Sequence, residues 1–381
     1  MNKAFFSCVC MLLAGHLNGM SQTSTVELKI IETSDVHGHF FPYDFVEGRE
    51  MKGTLARAST YIKRQREAYG NRLLLIDNGD ILQGQPCVYW SNYVATDQAN
   101  LAAQVVNYMG YDVEAVGNHD IEAGHQVYDK WMSEVQCPTV GANIVSTDNQ
   151  LPYVRPYAIV ERQVGTEQPR TVRIAFIGML TPTIPCWLNE SLWKGLEFHD
   201  MVESARRWVK YVQRVEQPDL IFGLFHSGLN GGIVMDNGIE EDATLRVAQQ
   251  VEGFDAIFFG HDHQVHNDMV KNPQGQDVLC IDPSCYVRNV AEATVRLTFD
   301  GKRIVHKDIK GAIVDVRNEP VDELMMAHFQ PTIDRIKQFV GRRIGTFASS
   351  CSTRDSYFGN SAFTDFIHQL QLQLTGATTW K

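Results

Sequence analysis

Short apolar runs and amphipathic stretches alternate along most of the chain. Residues 26–33 (VELKIIET) read as a strand, and 53–69 carry Leu55, Ala58 and Ile62 at helical spacing. The run 72–76 (RLLLI) is continuously apolar, the pattern of a strand covered on both faces. A helix over 99–109 and a strand over 112–116 follow. Residues 172–177 and 220–225 (LIFGLF) are further buried-strand runs, with a helix over 201–215 between them. The spacing then predicts a helix over 240–251 and a strand over 256–259. Strands over 278–281 and 291–299 come without an intervening helix, which predicts antiparallel additions. The class is α/β, with layered mixed β-sheets flanked by helices.

The two ends differ from this body. Lys3 followed by the apolar run 4–14 (AFFSCVCMLLA), with Gly19-Met20-Ser21 as a small-x-small site, makes residues 1–21 an export signal peptide. Phe5, Phe6 and Ser7 ahead of Cys8 do not make a lipid-anchor signal. The core domain is then 22–315. Residues 316–343 form a linker helix containing Pro331, densest over 322–340. Residues 344–381 open a further domain, with a strand-like stretch at 344–348 and an amphipathic helix over 361–374 whose apolar face would be exposed.

Composition narrows the function. With 381 residues, 44% hydrophobic and 21% charged, the chain has an ordinary globular make-up and no later apolar run of membrane-spanning length. A net charge of -11 excludes a nucleic-acid polymer as partner, since phosphate backbones are held by excess Lys and Arg. Small phosphate esters stay open, because metal ions can meet their charge locally. Cys87, Cys137, Cys186, Cys280, Cys285 and Cys351 remain after signal removal, none in a CxxC pair, so a zinc knuckle is excluded while disulfides and buried thiols both stand.

Polar residues fall at the ends of the predicted strands. The first strand ends in Asp35-Val36-His37-Gly38-His39, the second in Gly79-Asp80, the third in Gly117-Asn118-His119-Asp120. Later strands end in His226-Ser227-Gly228 and Gly260-His261-Asp262-His263. Open α/β sheets gather ligands at the carboxyl ends of their strands, so five distant segments can meet at one place. Carboxylates, an amide and several imidazoles sharing a site require a cation. Mixed oxygen and nitrogen ligands suit Zn, Mn, Fe, Co or Ni, and the count fits two divalent metal ions sharing a carboxylate. His39 could hydrogen-bond near such a site. Asp77 and Asp262 could orient ligands or cap turns, and Trp187 and Trp193 could line a substrate edge.

DVHGH, NGD, GNHD, the HSG after LIFGLF, and GHDH together resemble the calcineurin-like metallophosphoesterases. Their order, and the stretch EEDATLRVAQQVEGFDAIFFGHDH, are similar to the 5′-nucleotidase and 2′,3′-cyclic-nucleotide phosphodiesterase branch. The resemblance implies one metal on Asp35, His37 and His263, a second on Asn118, His226 and His261, and Asp80 bridging both. It implies His119 as the catalytic imidazole facing the leaving oxygen, with Asn118 also contacting the phosphate. The family's acidic partner of that imidazole lies three residues on, where this chain has Glu122 in place of Asp; Asp120 is the rival. Gln83 stands where the purple acid phosphatases have Tyr, against an iron–tyrosinate centre. The implied activity is metal-dependent hydrolysis of small-molecule phosphate esters, nucleotides first. Alternatives are a UDP-sugar or sugar phosphate, or a metal-binding remnant without useful activity. The segment 351–377 looks like the opening of the family's C-terminal nucleotidase domain, which holds the nucleoside between aromatic rings. That predicts a truncated second domain, with little base recognition and Arg354 as a candidate phosphate contact.

Overall fold

The computed structural model describes residues 23–165 and 169–376. The signal segment 1–21, with Cys8 and Cys10, lies outside the described residues. The chain divides into a unit ending at Val340 and another beginning at Gly341.

Two six-stranded sheets make the first unit. In one, Ser24–Thr33, Leu73–Asp77, Val113–Ala115 and Thr139–Val140 lie side by side and parallel. Asn289–Asp300 pairs antiparallel with the free edge of Ser24–Thr33, and Arg303–Asp315 follows it as a hairpin. In the other, Arg170–Leu180, Leu220–His226, Ala256–Gly260 and Asp277–Pro283 are parallel, with Tyr157–Val164 and Val265–Lys271 antiparallel at the two edges.

Side-chain alternation explains the layering. Leu28, Ile30, Leu74 and Ile76 point from the first sheet toward Ile174, Phe222 and Phe258 of the second and form one buried core. Ile31, Leu73 and Leu75 point the other way, under the helices Leu55–Tyr69, Leu101–Met109 and His125–Glu134. Ile221, Phe225 and Ile257 meet the helices Met201–Val215 and Thr244–Gln250 on the opposite outer face. Both faces of the central strands are therefore dry, which is why Leu73–Ile76 and LIFGLF are continuously apolar and fully buried.

Several expectations are corrected. The helix read over 240–251 starts only at Thr244; Glu240–Asp242 is a strand paired with Gly231–Val234. Side chains fix this break: Asp242 accepts the Gly228 N–H at 2.8 Å, and Thr244 donates to the Ser227 carbonyl at 2.9 Å. Asp277–Pro283 runs parallel to Ala256–Gly260, because Val265–Lys271 continues to the sheet edge and returns the chain. Residues 344–348 form no strand. The six cysteines from Cys87 to Cys351 are all free thiols.

The helix read within the linker spans Glu323–Val340 and belongs to the first unit. Met325, Phe329, Ile333 and Ile336 are buried, and Phe329 packs its ring on Phe41 at 5.5 Å. Anchors on both sides of Pro331 keep the helix continuous through a residue that cannot donate its backbone hydrogen bond. In the second unit, Ser361 caps the helix Ala362–Thr375 by accepting the Thr364 N–H, and Phe366, Leu370 and Leu374 of that helix are exposed.

Candidate metal centre

The ends of the two sheets deliver the predicted residues to one place. Asp35, His37 and His263 present three ligand atoms within 4.8 Å of one another; Asp80, His226 and His261 do the same. Asp35, His37, Asp80 and Asn118 come from the first sheet's strand ends and His226, His261 and His263 from the second's.

Three of the four imidazoles are held by their outer sides. His37 rests Nδ1 against the Gln83 Oε1 at 3.1 Å and the Gln83 carbonyl at 3.2 Å. Its Nε2 lies 4.0 Å from both Asp35 Oδ1 and Asp80 Oδ2 and 3.2 Å from His263 Nε2. His226 donates from Nδ1 to the Asn78 carbonyl at 2.7 Å, which turns Nε2 to Asp80 Oδ2 at 3.1 Å and Asn118 Oδ1 at 3.0 Å. His261 meets Glu241 Oε1 through Nε2 at 3.0 Å. Such outer contacts fix ring orientation and tautomer in metal sites.

The carboxylates are placed as tightly. Asp35 Oδ2 accepts from Ser34 Oγ at 2.5 Å and from the His261 N–H at 3.0 Å. Asp35 Oδ1 is buried without a hydrogen-bond partner and stands 3.3 Å from His263 Nε2. Asp80 Oδ1 accepts the His119 N–H at 2.8 Å, so Oδ2 is the atom lying between His37 and His226. A buried, orphaned carboxylate oxygen surrounded by imidazole nitrogens is what a divalent ion would satisfy, and the donor set fits two.

Close packing makes this possible. A Cβ on Gly260 would lie 1.9 Å from Ser34 Oγ, and one on Gly117 would lie 2.1 Å from Asp80 Oδ1. Asp35, His37, Asp80, His261 and His263 all have φ between 48° and 90°, which costs a residue with a side chain on the order of 1–3 kcal/mol each. The fold holds this strain at the site.

Burial alone would raise the Asp35 and Asp80 carboxyls. His226 holds both below the usual carboxylate range, helped by His263 at Asp35 and by His119 and His37 at Asp80. In return, although burial pulls His226 down, Asp80 and Asp35 hold it up at about 10. The Asp35 carboxylate beside it, and then Cys285, lift His263 to about 11. The cluster thus keeps protons where cations belong.

His119 stands next to the cluster, its ring 5.4 Å from that of His37. Glu122 hydrogen-bonds its Nδ1. Burial lowers His119, but the Glu122 hydrogen bond and the Asp80 charge outweigh it and leave the imidazole above its ordinary value. Asp120 does something else: its two oxygens accept the N–H groups of Asp80, Ile81, Leu82 and Gly117 and shape the Asp80 turn.

The remaining candidates fall outside the cluster. His39 donates from Nδ1 to the Gly53 carbonyl and stacks on Tyr286 at 4.7 Å. Asp77 caps the turn before Asp80 by accepting the Gly79 N–H, and Asp262 accepts from Gln264 and Leu229. Trp187 lies 5.7 Å from the His261 ring, while Trp193 packs on Phe198. Arg354 sits in the turn Thr353–Phe358 of the second unit. Sequence reasoning missed the contacts of Gln83, the Asn78 carbonyl and Glu241. Only Glu241 had a signal, an acidic pair in EEDATL that looked like the start of a helix.

The chain is 27% identical over 349 residues to the trifunctional nucleotide phosphoesterase protein YfkN of Bacillus subtilis, covering 84% of this chain and 23% of that protein. It is 27% identical over 346 residues to the 2′,3′-cyclic-nucleotide 2′-phosphodiesterase/3′-nucleotidase of Haemophilus influenzae, covering 84% of this chain and 51% of that one. The chain therefore spans about half or less of these relatives. The crystal structure of the calcineurin-like phosphoesterase YfkN from Bacillus subtilis superimposes with a TM-score of 0.75 at 26% identity, over 84% of this chain and 100% of that one. A 5′-nucleotidase precursor from Thermus thermophilus shares the fold, with a TM-score of 0.61 at 22% identity over 81% and 59% of the two chains. Residues 28–265 match the family model for calcineurin-like phosphoesterases, and the chain belongs to that family.

Proposed function

We propose that the protein is an exported, metal-dependent phosphoric ester hydrolase that cleaves nucleotides. The observation that carries this reading is the pair of Asp/His clusters flanked by the His119–Glu122 pair. The nucleotide class is supported by the names of the relatives, and export by the leader-like residues 1–21. Asp35, His37 and His263 would hold one divalent ion, and Asn118, His226 and His261 a second, with Asp80 shared. Bound there, two such ions supply an acidified water and neutralise phosphate charge.

The chain's own residues do the rest. Asn118 turns its carbonyl oxygen to His226, which leaves its amide N–H for an equatorial phosphate oxygen as charge grows there. Glu122 fixes Nδ1 of His119, so Nε2 carries the proton that passes to the departing alkoxide. The raised affinity of His119 for its proton favours the acid form that this role needs.

The test uses the purified chain loaded with Mn or Zn and offered 5′-AMP, 3′-AMP and 2′,3′-cyclic AMP. Phosphate release or ring opening is expected on at least one, and Asp80→Asn should abolish it. A metal-replete wild type that turns over none of these esters, nor a simple aryl phosphate, would end the proposal.

A further inference from the structure

Asp277–Pro283 lies in the second sheet and Asn289–Asp300 in the first. Residues 284–288 are all that connects them, and they pass against the cluster of Asp35, His37 and His263. Ser284 donates from Oγ to the His263 carbonyl at 2.7 Å, and the Cys285 thiol lies against the His263 ring. Tyr286 donates its N–H to the Asp35 carbonyl at 2.9 Å. Its ring stands 5.5 Å from that of His37 and 5.6 Å from that of His263, the separation of packed aromatic pairs. One short connection therefore touches all three residues of this cluster. Among the described residues its hydrogen bonds and ring contacts reach none of Asn118, His226 and His261.

The connection is strained. Ser284, Tyr286 and Val287 have φ of 69°, 62° and 50°, in the left-handed region that a side chain disfavours and a β-branched one most of all. Backbone of this kind persists only where its surroundings over-determine it, and it gathers at functional sites. Here the ends are tied: the Ser284 N–H binds Asp282 Oδ1 at 2.6 Å, and Asn289 donates from Nδ2 to the Pro283 carbonyl at 3.1 Å. The middle is packed, since a Cβ on Gly53 would lie 2.3 Å from the Tyr286 carbonyl oxygen. The Tyr286 ring is held by His39, stacked at 4.7 Å, and by the Arg288 guanidinium at 5.2 Å. His37 has Gln83 on its outer side, whereas His263 depends on this connection for its placement.

We propose that residues 284–288 are the positioning element of one metal site only, the one on Asp35, His37 and His263, and that Tyr286 is its positioning residue. The inference rests on the two-metal reading above and deepens it. Tyr286 acts through the imidazoles: its ring fills the space into which His37 and His263 would otherwise turn, and so keeps both nitrogens aimed beside Asp35. The face of the ring does this, and the hydroxyl is not needed. The ion on Asn118, His226 and His261 is left to the Asn78 and Glu241 contacts, so the two ions are held by separate devices.

The experiment titrates Mn(II) alone into the metal-free full chain, followed by calorimetry and by electron paramagnetic resonance. Wild type is compared with Tyr286→Ala, Tyr286→Leu and Tyr286→Phe. Wild type should take two ions and give the signal of a coupled pair. Tyr286→Ala and Tyr286→Leu should weaken one ion about 10–100-fold, the usual effect of losing a ligand's outer support, and leave the other within about twofold. At one equivalent they should show an isolated Mn(II) signal. Tyr286→Phe should restore both ions and the coupled signal. The leucine variant keeps most of the buried volume, so it decides the matter if the alanine variant does not fold. Equal weakening of both ions, no weakening of either, or a phenylalanine variant as weak as alanine would overturn the proposal. Wild type that binds a single ion, weakened in Tyr286→Ala, would keep the role of Tyr286 and count against the two-metal reading. Wild type that binds no Mn(II) would end both.

Discussion

Glu122 hydrogen-bonds Nδ1 of His119 from three residues along the same helical turn, while Asp120 faces away onto the backbone of the Asp80 loop. The two acids therefore have separable effects. Glu122→Gln removes the main attraction that holds His119 above its ordinary pKa. A general acid loses activity as pH rises through its pKa, so the alkaline limb of kcat should begin at lower pH in this variant, with kcat down roughly tenfold or more. His119→Ala should lose about 10²–10⁴ in kcat with metal content unchanged. Asp120→Asn should instead lower the melting temperature and metal retention, because the Asp80 turn loosens. A kcat–pH series on the three proteins, with metal analysis, checks all of this.

Asp80 places Oδ2 between His37 and His226, at 4.0 and 3.1 Å. Asp80→Asn should lower the content of both ions, whereas Gln83→Ala should weaken retention about 10–100-fold by freeing the His37 ring. Elemental analysis after dialysis against a weak chelator distinguishes the two.

In the metal-free fold His226 and His263 keep their protons, at about 10 and about 11. Ligation needs neutral imidazole, so each ion must expel protons on entry. Apparent metal affinity should therefore rise with pH across the neutral range. Calorimetry in two buffers of different ionisation enthalpy should report net proton release; identical heats would contradict the assignment.

Gly260→Ala places a methyl group on Ser34 Oγ and Asp35 Oδ2, at 1.9 and 2.5 Å. The two sheet ends must then part, at about 1–3 kcal/mol. Urea unfolding of the metal-free variant should show this loss, and metal retention should fall with it.

Phe329→Ala tests the helix Glu323–Val340, whose buried face sits in the core of the first unit. The expected loss is about 3–5 kcal/mol. A value near zero in denaturant titration would mean that the helix is a detachable linker.

Much of this was legible in the sequence because burial writes itself plainly. Leu73–Ile76 and LIFGLF have no solvent face, and the Asp80 and His226 motifs follow these runs directly. The edge strands were harder. VHNDMVK at Val265–Lys271 is mostly exposed, and RIVHKDIKGAIVD at Arg303–Asp315 has one wet face, so neither shows an apolar run. Missing the first of them turned Asp277–Pro283 from a parallel strand into an antiparallel one. The outer contacts of the imidazoles could not be read at all: the Asn78 carbonyl has no sequence signature, and Glu241 reaches His261 only through the ribbon with Gly231–Val234. The choice between Glu122 and Asp120 needed the turn geometry, since both follow His119 closely.

His37 and His263 touch through their ring nitrogens yet lie 226 residues apart. A chain still being synthesised has no complete site for the ion held by this pair until His263 has emerged and the second sheet has docked on the first. The ligand set is therefore complete only in the finished body. Loose ligands would take ions in the order of intrinsic affinity, which favours copper and zinc. A preformed pocket instead takes what fits among the ions around it when folding ends.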